Sequence, residues 1–499
     1  MDTTYLIILA MICILTLLFL YNVLWDWTPP NYPPGPKPLP LIGNLNILDI
    51  KRPYLTLMEL SKQYGSVFSI QMGMNKIVVL TGYETVKDAL VNHADEFGER
   101  EALPLIHKID NGAGLAFSNG ENWKVMRRFT LTTLRKFGMG KSSIEEKIID
   151  ECDYLVLWFQ SFNGKPVDNY VPIMSAIANL IVSVILGHRM EYDDTTFLKL
   201  MSLTVENIRL AGSLMISLYN IFPNFLRLFP GSHITIQKNI KEVNDFITKT
   251  FVEYLKELDV NDQRSFIDAF LIRQKEEENN PKTYFHNANL MGLIRNIFAG
   301  GIDTTATTLR WGLLLMLKHP DIQEKVQDEI SRVIGSTKPR YDHRLQMPYT
   351  NAVIHEIQRF ANIVPMNLPH KTTKDVNFKG YFIPKGITIV PLLYSVLLDK
   401  TQFAEPEKFN PNHFLDAHGN FVKKDALMAF SAGRRVCVGE TLARMELFMF
   451  FTSLLQNFHF CLPPGITDVD LTPTVGILTP PFPYKMCAIP RAYLHTLKT

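Results

Sequence analysis

Apolar and polar positions divide this chain into stretches of different period. From Tyr5 to Leu24, twenty residues run with only Thr16 and Asn22 as polar members. As a helix such a run spans roughly 30 Å of hydrocarbon, a transmembrane length. It follows Met1-Asp2-Thr3 and leaves into Trp25-Asp26-Trp27, without the basic start or small-residue cleavage site of a signal peptide, so a retained anchor over residues 1–25 is expected. The nearest basic residues, Lys37, Lys51 and Arg52, all follow the run. The positive-inside rule then puts the bulk of the chain in the cytoplasm.

Residues 29–44, PPNYPPGPKPLPLIGN, hold seven prolines, which forbid a helix and favour extended polyproline geometry. Residues 26–44 are therefore read as a stiff hinge. Val67–Met72 and Lys76–Thr81 are β-rich and separated by a glycine-containing turn, which predicts a hairpin. From Glu121 to about Ile330 the period is helical, with charged faces such as IEEKIIDE and FITKTFVEYLKEL against apolar stripes. Short β-like pieces return at Asp375–Val390 and in YKMCAIP. The pattern predicts a mainly α fold with minor β sheets. No repeat and no charged or Gly/Ser-rich linker divides residues 45–499, which are read as a single domain. IFPNFLRLFPG, Ile221–Gly231, is too short to cross a bilayer and is expected as a loop at a membrane interface, a lid over an apolar cavity or a loop packed on the core.

Composition narrows the classes. A hydrophobic content of 46% over 499 residues excludes a disordered tail protein. With 51 Lys+Arg against 49 Asp+Glu the formal charge is +2, and no global excess points to nucleic acid. Five cysteines, Cys13, Cys152, Cys437, Cys461 and Cys487, are too few and scattered for a disulfide scaffold, none is in a CxxC pair, and they fit a reducing compartment. Gly138–Ser142 ends like a phosphate loop, but Arg135 stands where that motif needs glycine and the preceding segment reads as helix. There is no GxGxxG strand-turn-helix for a flavin or nicotinamide, so reducing equivalents are expected from another protein.

The candidate chemistry centres on FSAGRRVCVGE, Phe430–Glu440, which precedes the apolar stretch TLARMELFMFFTSLL. Cys437 stands near a helix N-terminus with Arg434 and Arg435 beside it; amides and cations there favour the thiolate. The flanking glycines let a flat cofactor approach the backbone. A thiolate as sole protein ligand suits haem iron, because it pushes electron density toward O–O cleavage. FSAGRRVCVG resembles, at every position, the cysteine loop of the cytochrome P-450 superfamily. FGMGKSSIEEKI, LLQNFHF and PYKMCAIPR resemble its family two, the microsomal xenobiotic- and lipid-oxidising vertebrate members.

In Phe298–Thr305, FAGGIDTT, two adjacent glycines lie inside a helical pattern from Asn289 to Lys318, at roughly 1 kcal/mol each relative to alanine. They leave room beside the backbone, and Thr304 can bond back to the Gly300 carbonyl and bend the helix. By resemblance this is the oxygen-activation motif, with Thr304 supplying a hydroxyl and Asp303 linking it to a proton supply. Glu356 and Arg359 lie at i and i+3; on their own they read as a surface bridge. The resemblance implies a buried pair completed by Pro411-Asn412-His413-Phe414, where His413 replaces the arginine of many relatives.

Trp123 and Arg127 share a helix face at i and i+4. The resemblance implies that they hold the haem propionates together with His370, Arg435 and Arg100, and that Phe117, Gly300, Val364, Leu368 and Ile477 line the substrate pocket. It implies the cytochrome P-450 fold after one transmembrane helix, haem b (iron protoporphyrin IX) on Cys437, and a monooxygenase that inserts one oxygen atom of O2 into a xenobiotic, steroid or fatty acid. Electrons are expected from NADPH-cytochrome P-450 reductase, with cytochrome b5 as a further donor that the resemblance allows, at the cytoplasmic face of the endoplasmic reticulum membrane. Lys124, Arg128, Lys136 and Arg434 are the expected contacts for an acidic reductase. The rivals are a dedicated biosynthetic hydroxylase and a haem-bound carrier or sensor of hydrophobic ligands.

Overall fold

Long amphipathic or wholly apolar runs set the architecture. In the computed structural model, residues 5, 7–16, 28–140, 142–259 and 262–491 are described. Residues 7–16 are helical and exposed, whereas the remainder of the expected anchor, with Trp25 and Trp27, lies outside the described residues. Among the described residues no helix is long and apolar enough to cross a membrane.

From residue 28 onward the helices of eight residues or more are α1 Pro53–Tyr64, α2 Gly120–Lys136, α3 Ser142–Ser161, α4 Tyr170–Ile185, α5 Thr195–Ala211, α6 Leu214–Ile221, α7 Ser232–Lys256, α8 Phe266–Glu276, α9 Asn287–Lys318, α10 Pro320–Val333, α11 Pro348–Ala361 and α12 Glu440–Asn457. The strands are β1 Val67–Met72, β2 Asn75–Leu80, β3 Glu99–Arg100, β4 Val167–Asp168, β5 His370–Lys371, β6 Val376–Phe378, β7 Tyr381–Ile383, β8 Thr388–Pro391, β9 Phe458–Cys461 and β10 Lys485–Pro490. The expected hairpin is β1–β2, which extends through the parallel pair β2–β8 into a sheet of order β1-β2-β8-β5-β3. A second sheet has the order β4-β10-β9, and β6 pairs with β7.

Helix α9 is the axis of the molecule, packed by α4, α10, α11 and α12. It is buried on every side from Thr305 to Leu317, and its sequence is mostly apolar there, with Arg310 the one charge. The side chain of Gln323 on α10 fixes β9 from both directions, donating to the Phe460 carbonyl at 2.9 Å and accepting its amide at 2.7 Å. Glu329 caps α11, accepting from the Thr350 amide at 2.7 Å and the Tyr349 amide at 3.1 Å, an anion at a helix N-terminus.

The proline-rich run docks on the body. Its prolines lack donors but keep carbonyls, and those of Pro33 and Pro34 accept from the Ser69 hydroxyl and amide at 2.8 and 2.7 Å. A Cβ on Gly35 would meet the Ser69 carbonyl oxygen at 1.9 Å, so the approach needs glycine. Of the Ile221–Gly231 segment, Ile221 ends α6 and Pro223–Leu226 form one helical turn, with Phe225, Leu228 and Phe229 exposed. Ile221 and Phe222 pack on Gly73 at the tip of the β1–β2 hairpin.

Glu356 and Arg359 are fully buried, which corrects the surface-bridge reading that their spacing alone suggests. Arg359 grips the carboxylate with two parallel bonds of 2.7 and 2.6 Å and donates to the carbonyls of Leu397, Pro406 and Lys408 at 3.0, 2.7 and 2.9 Å. His413 sets Nδ1 at 3.1 Å from Glu356 Oε2 and Nε2 against the Ala404 carbonyl. Both ring nitrogens thus face oxygen atoms, one of the carboxylate and one of the main chain. The cluster ties α11 to the irregular chain between residues 397 and 413, which precedes the cysteine loop. Replacing His413 by phenylalanine should cost on the order of 2–4 kcal/mol, because it removes a partner from a buried carboxylate and breaks the contact to the Ala404 carbonyl. The check is faster thermal inactivation for His413→Phe and a smaller effect for His413→Gln, which keeps one donor.

Candidate active site

Cys437 lies two residues before the Gly439 N-cap of α12, and its sulfur accepts from the amides of Gly439 and Glu440. Burial pushes the thiol up, against those amides and the charge of Arg127. The cation acting on the sulfur is therefore Arg127 rather than the adjacent arginines: Arg434 pairs with Asp95, and Arg435 turns toward Gly98. Arg127 also donates to the Val436 carbonyl at 2.7 Å, which fixes the residue next to the cysteine. Gly433 takes φ +69°, and a Cβ there would sit 1.7 Å from the Leu90 carbonyl oxygen. This glycine serves the turn's packing, which corrects the expectation that it opens space for a cofactor.

A cavity of about 580 Å³ opens beside the cysteine, a size and apolar lining that suit a large ligand. Cys437, Thr304, Phe117, Gly300, Val364, Leu368 and Ile477 all line it. No residue from 221 to 231 does, so the lid reading of that segment is not met. The two glycines of α9 divide their work. A Cβ on Gly300 meets nothing within 4 Å, whereas one on Gly301 would strike Ile181 of α4 at 2.5 Å. Gly300 opens the cavity, and Gly301 lets the helices close. The Thr304 hydroxyl donates to the Gly300 carbonyl at 2.7 Å, as the spacing predicts.

Asp303 does not line the cavity. Its carboxylate is buried, held above the ordinary range by burial, and accepts from the Thr307 hydroxyl at 3.3 Å, with the charge of Arg310 acting to lower it. Adjacent positions on a helix diverge by about 100°, so Asp303 and Thr304 face different surroundings. Among the described residues no hydrogen bond joins them.

Arg100 on β3 and His370 on β5 are direct cross-strand partners. Arg100 donates to the Leu368 carbonyl at 2.6 Å and leaves Nε unpaired. His370 sets Nδ1 on the Phe97 carbonyl at 2.7 Å and leaves Nε2 unpaired. Arg435 donates to Gly98, Ser118 and Asn119, with Nη1 unpaired, and its guanidinium lies 3.9 Å from the Trp123 ring. Trp123 is thus a cation–π platform in this cluster. Burial and mutual repulsion bring Arg100 and Arg435 down to about 9, while burial and its cationic neighbours hold His370 far below its ordinary value.

Sequence reading missed two cavity features. Glu446 of α12 is buried, lines the cavity, is pushed up to about 8 by burial and bonds to the Thr305 hydroxyl. A lone acid inside MELFMFF is the signal that marks it. Arg295 pairs with Asp110 across the cavity wall, nearly buried, and nothing local in the sequence connects them. Of the expected reductase contacts, Lys124 pairs with Glu121, Arg434 with Asp95, and Lys136 bonds Gln263; Arg128 is exposed.

Buried guanidinium and imidazole nitrogens without partners cost free energy unless an anion meets them. A thiol faces the same cavity, so the pocket joins a soft metal-binding group to unpaired donors for an anion. The family profile described as Cytochrome P450 matches residues 33–488. The chain belongs to the cytochrome P450 family. It is 51% identical over 464 residues to Cytochrome P450 2K1 of Oncorhynchus mykiss, covering 92% of each chain. It is 50% identical over 458 residues to Cytochrome P450 2K6 of Danio rerio, covering 91% of this chain and 90% of that one. To Cytochrome P450 2C23 of Rattus norvegicus it is 46% identical over 489 residues, covering 97% of this chain and 98% of that one. The protein is a haem-binding monooxygenase, and its residues fit haem b: a thiol for the iron, and unpaired cationic donors for two carboxylates.

Gly433→Ala should abolish stable haem retention, since left-handed strain of about 1–2 kcal/mol adds to a backbone clash. Gly439→Ala should be tolerated, because its φ is −88° and the added Cβ meets only the sulfur at 3.8 Å. Haem content of the two purified variants checks the contrast.

Proposed function

We propose that this chain is a membrane-associated haem-thiolate monooxygenase of lipophilic substrates, with electrons passed from NADPH through a separate reductase. The observation that carries the reading is the thiol of Cys437 facing an apolar cavity that is edged by buried cations with unpaired donors. Cys437 would hold the haem iron through its sulfur. Arg100, Trp123, Arg127, His370 and Arg435 hold the carboxylate edge. Haem b, when bound, supplies the electron and oxygen chemistry.

The chain supplies position, dryness and protons. Phe117, Val364, Leu368 and Ile477 orient the substrate, and Gly300 leaves it room beside α9. Thr304 presents a hydroxyl oriented by the Gly300 carbonyl. Asp303 stands buried on the far side of α9, so any link to Thr304 passes through water or an intervening hydroxyl. The apolar lining excludes bulk water, which strengthens each of these polar contacts. The substrates are xenobiotics, steroids or fatty acids.

The exposed Leu39, Leu41 and Ile42 of the proline segment lie next to the hairpin tip, which in turn touches the segment bearing Phe225, Leu228 and Phe229. This apolar stretch supports seating at the endoplasmic reticulum membrane beside the anchor expected over residues 1–25, with residues 45–499 as the catalytic domain on the cytoplasmic face. The basic side chains Lys124, Arg128, Lys136 and Arg434 mark the face for an acidic reductase, and cytochrome b5 is a second candidate donor for the same surface.

Two measurements test the reading. Cys437→Ser should lose the thiolate-specific absorption of the reduced carbon monoxide complex, while serine at Cys152, Cys461 or Cys487 should retain it. Retention in Cys437→Ser removes the ligand assignment. Thr304→Ala should keep haem and NADPH consumption but lower the ratio of product to hydrogen peroxide roughly tenfold or more, the scale of a lost proton donor. Product, peroxide and NADPH are measured in one reaction. An unchanged product-to-NADPH ratio assigns Thr304 to helix shape alone.

A further inference from the structure

The β9–β10 pair brings two thiols face to face. Cys461 and Cys487 are direct partners in the antiparallel register, so their side chains leave the sheet on one face. The Cys461 thiol donates a hydrogen bond to the Cys487 sulfur. Direct antiparallel partners stand about 4.5–5.5 Å apart at Cα, within the roughly 4.4–6.8 Å that a disulfide spans. Both are free thiols. Cys487 is buried and Cys461 half-exposed, so solvent reaches the pair from the Cys461 side. Neither lines the cavity, and neither has a part in the haem site.

We propose that Cys461 and Cys487 are a modification site, closing as a reversible cross-strand disulfide when hydrogen peroxide is the oxidant. Peroxide accepts the attack of the Cys461 sulfur: its O–O bond breaks, Cys461 becomes a sulfenic acid and one water leaves. The Cys487 sulfur then attacks the sulfenic sulfur, the S–S bond forms, and the oxygen leaves as a second water carrying the thiol proton. Two thiols lose two electrons and two protons, and one peroxide becomes two waters. A dithiol reductant reverses the bond. Burial holds both thiols above their ordinary value, so closure is slow beside that of a low-pKa redox cysteine and follows sustained exposure.

The two cysteines bracket residues 462–486, a connection with direct access to the substrate cavity. Ile477 and Leu478 line that cavity, and Gly476 and Ile477 press on Gly212 at the end of α5, where a Cβ would lie 2.4 Å from the Ile477 amide nitrogen. Thr479 fixes the middle of the connection, donating to the Ile363 carbonyl at 3.1 Å and accepting the Trp311 indole at 2.9 Å. A covalent link across its base restrains the whole segment.

The test uses the full-length haem-loaded protein. One sample receives hydrogen peroxide, and a second receives diamide, which closes dithiols without peroxide chemistry at a haem. Both are quenched with iodoacetamide and mapped as unreduced peptides. The expected result is a Cys461–Cys487 linked peptide, lighter by two hydrogens and reopened by dithiothreitol, with Cys152 unlinked. Amides in residues 462–486 should exchange several-fold more slowly in the linked protein than in Cys461→Ser given the same treatment; the carbon monoxide spectrum shows that this variant is folded. Recovery of both cysteines alkylated in both samples overturns the proposal. So does peroxide oxidation of Cys461 to its higher acids with Cys487 left free.

Discussion

Buried positive charge without its counter-charge governs this molecule. Arg100, Arg127 and Arg435 crowd one edge of the cavity, and each is brought below its ordinary value by burial, with repulsion from the others adding to the effect on Arg100 and Arg435. A protein that keeps such a cluster needs an anion, since removing one partner from a buried charge system costs several kcal/mol. Four of the cluster's nine guanidinium nitrogens donate to carbonyls, which hold the groups in place without neutralising them. The unpaired nitrogens point to where the anion belongs. The strands β3 and β5, the N-terminal half of α2 and the cysteine loop are all positioned by this requirement.

Helix α9 meets a different constraint, closeness on one side and emptiness on the other. Alanine at Gly301 would force Ile181 away, while alanine at Gly300 would enter the cavity. Two adjacent glycines therefore answer two separate demands one residue apart. Thr304 stands on the open side and Asp303 on the packed side, so the hydroxyl and the acid share a motif without sharing a surface. The hydroxyl that touches the acid is that of Thr307, one turn further along the same helix.

Much of this was legible in the sequence, for reasons that differ by residue. The Thr304 bond to Gly300 and the sharing of one helix face by Trp123 and Arg127 follow from helical period, which local spacing reveals. The β1–β2 hairpin follows from two β-rich runs around a glycine turn. Burial of Glu356 and Arg359 does not follow from spacing, because an i,i+3 ion pair looks the same on a surface; it depends on carbonyls of residues 397, 406 and 408 that arrive from another part of the chain. The same holds for Arg295 with Asp110 and for the pairing of Arg100 with His370, which tertiary contact alone creates. Gly433 was misread because a turn glycine and a cofactor-facing glycine have the same letter, and only the Leu90 carbonyl distinguishes them.

Arg127 joins the two halves of the site. One guanidinium nitrogen holds the Val436 carbonyl, its charge acts on the Cys437 sulfur, and it repels Arg100 and Arg435 on the other side. An anion placed among the cations relieves that repulsion and also screens part of the field that Arg127 exerts on the sulfur. That screening works against the thiolate, and the amides of Gly439 and Glu440 supply the share that no charge rearrangement removes. A cysteine at a helix N-terminus therefore keeps a fixed contribution from dipoles, while the neighbouring arginine belongs to the cation cluster. This division leaves the dipole contribution at the sulfur in place when the cation cluster is neutralised, while Arg127 and Arg435 both tie the cysteine loop to that cluster.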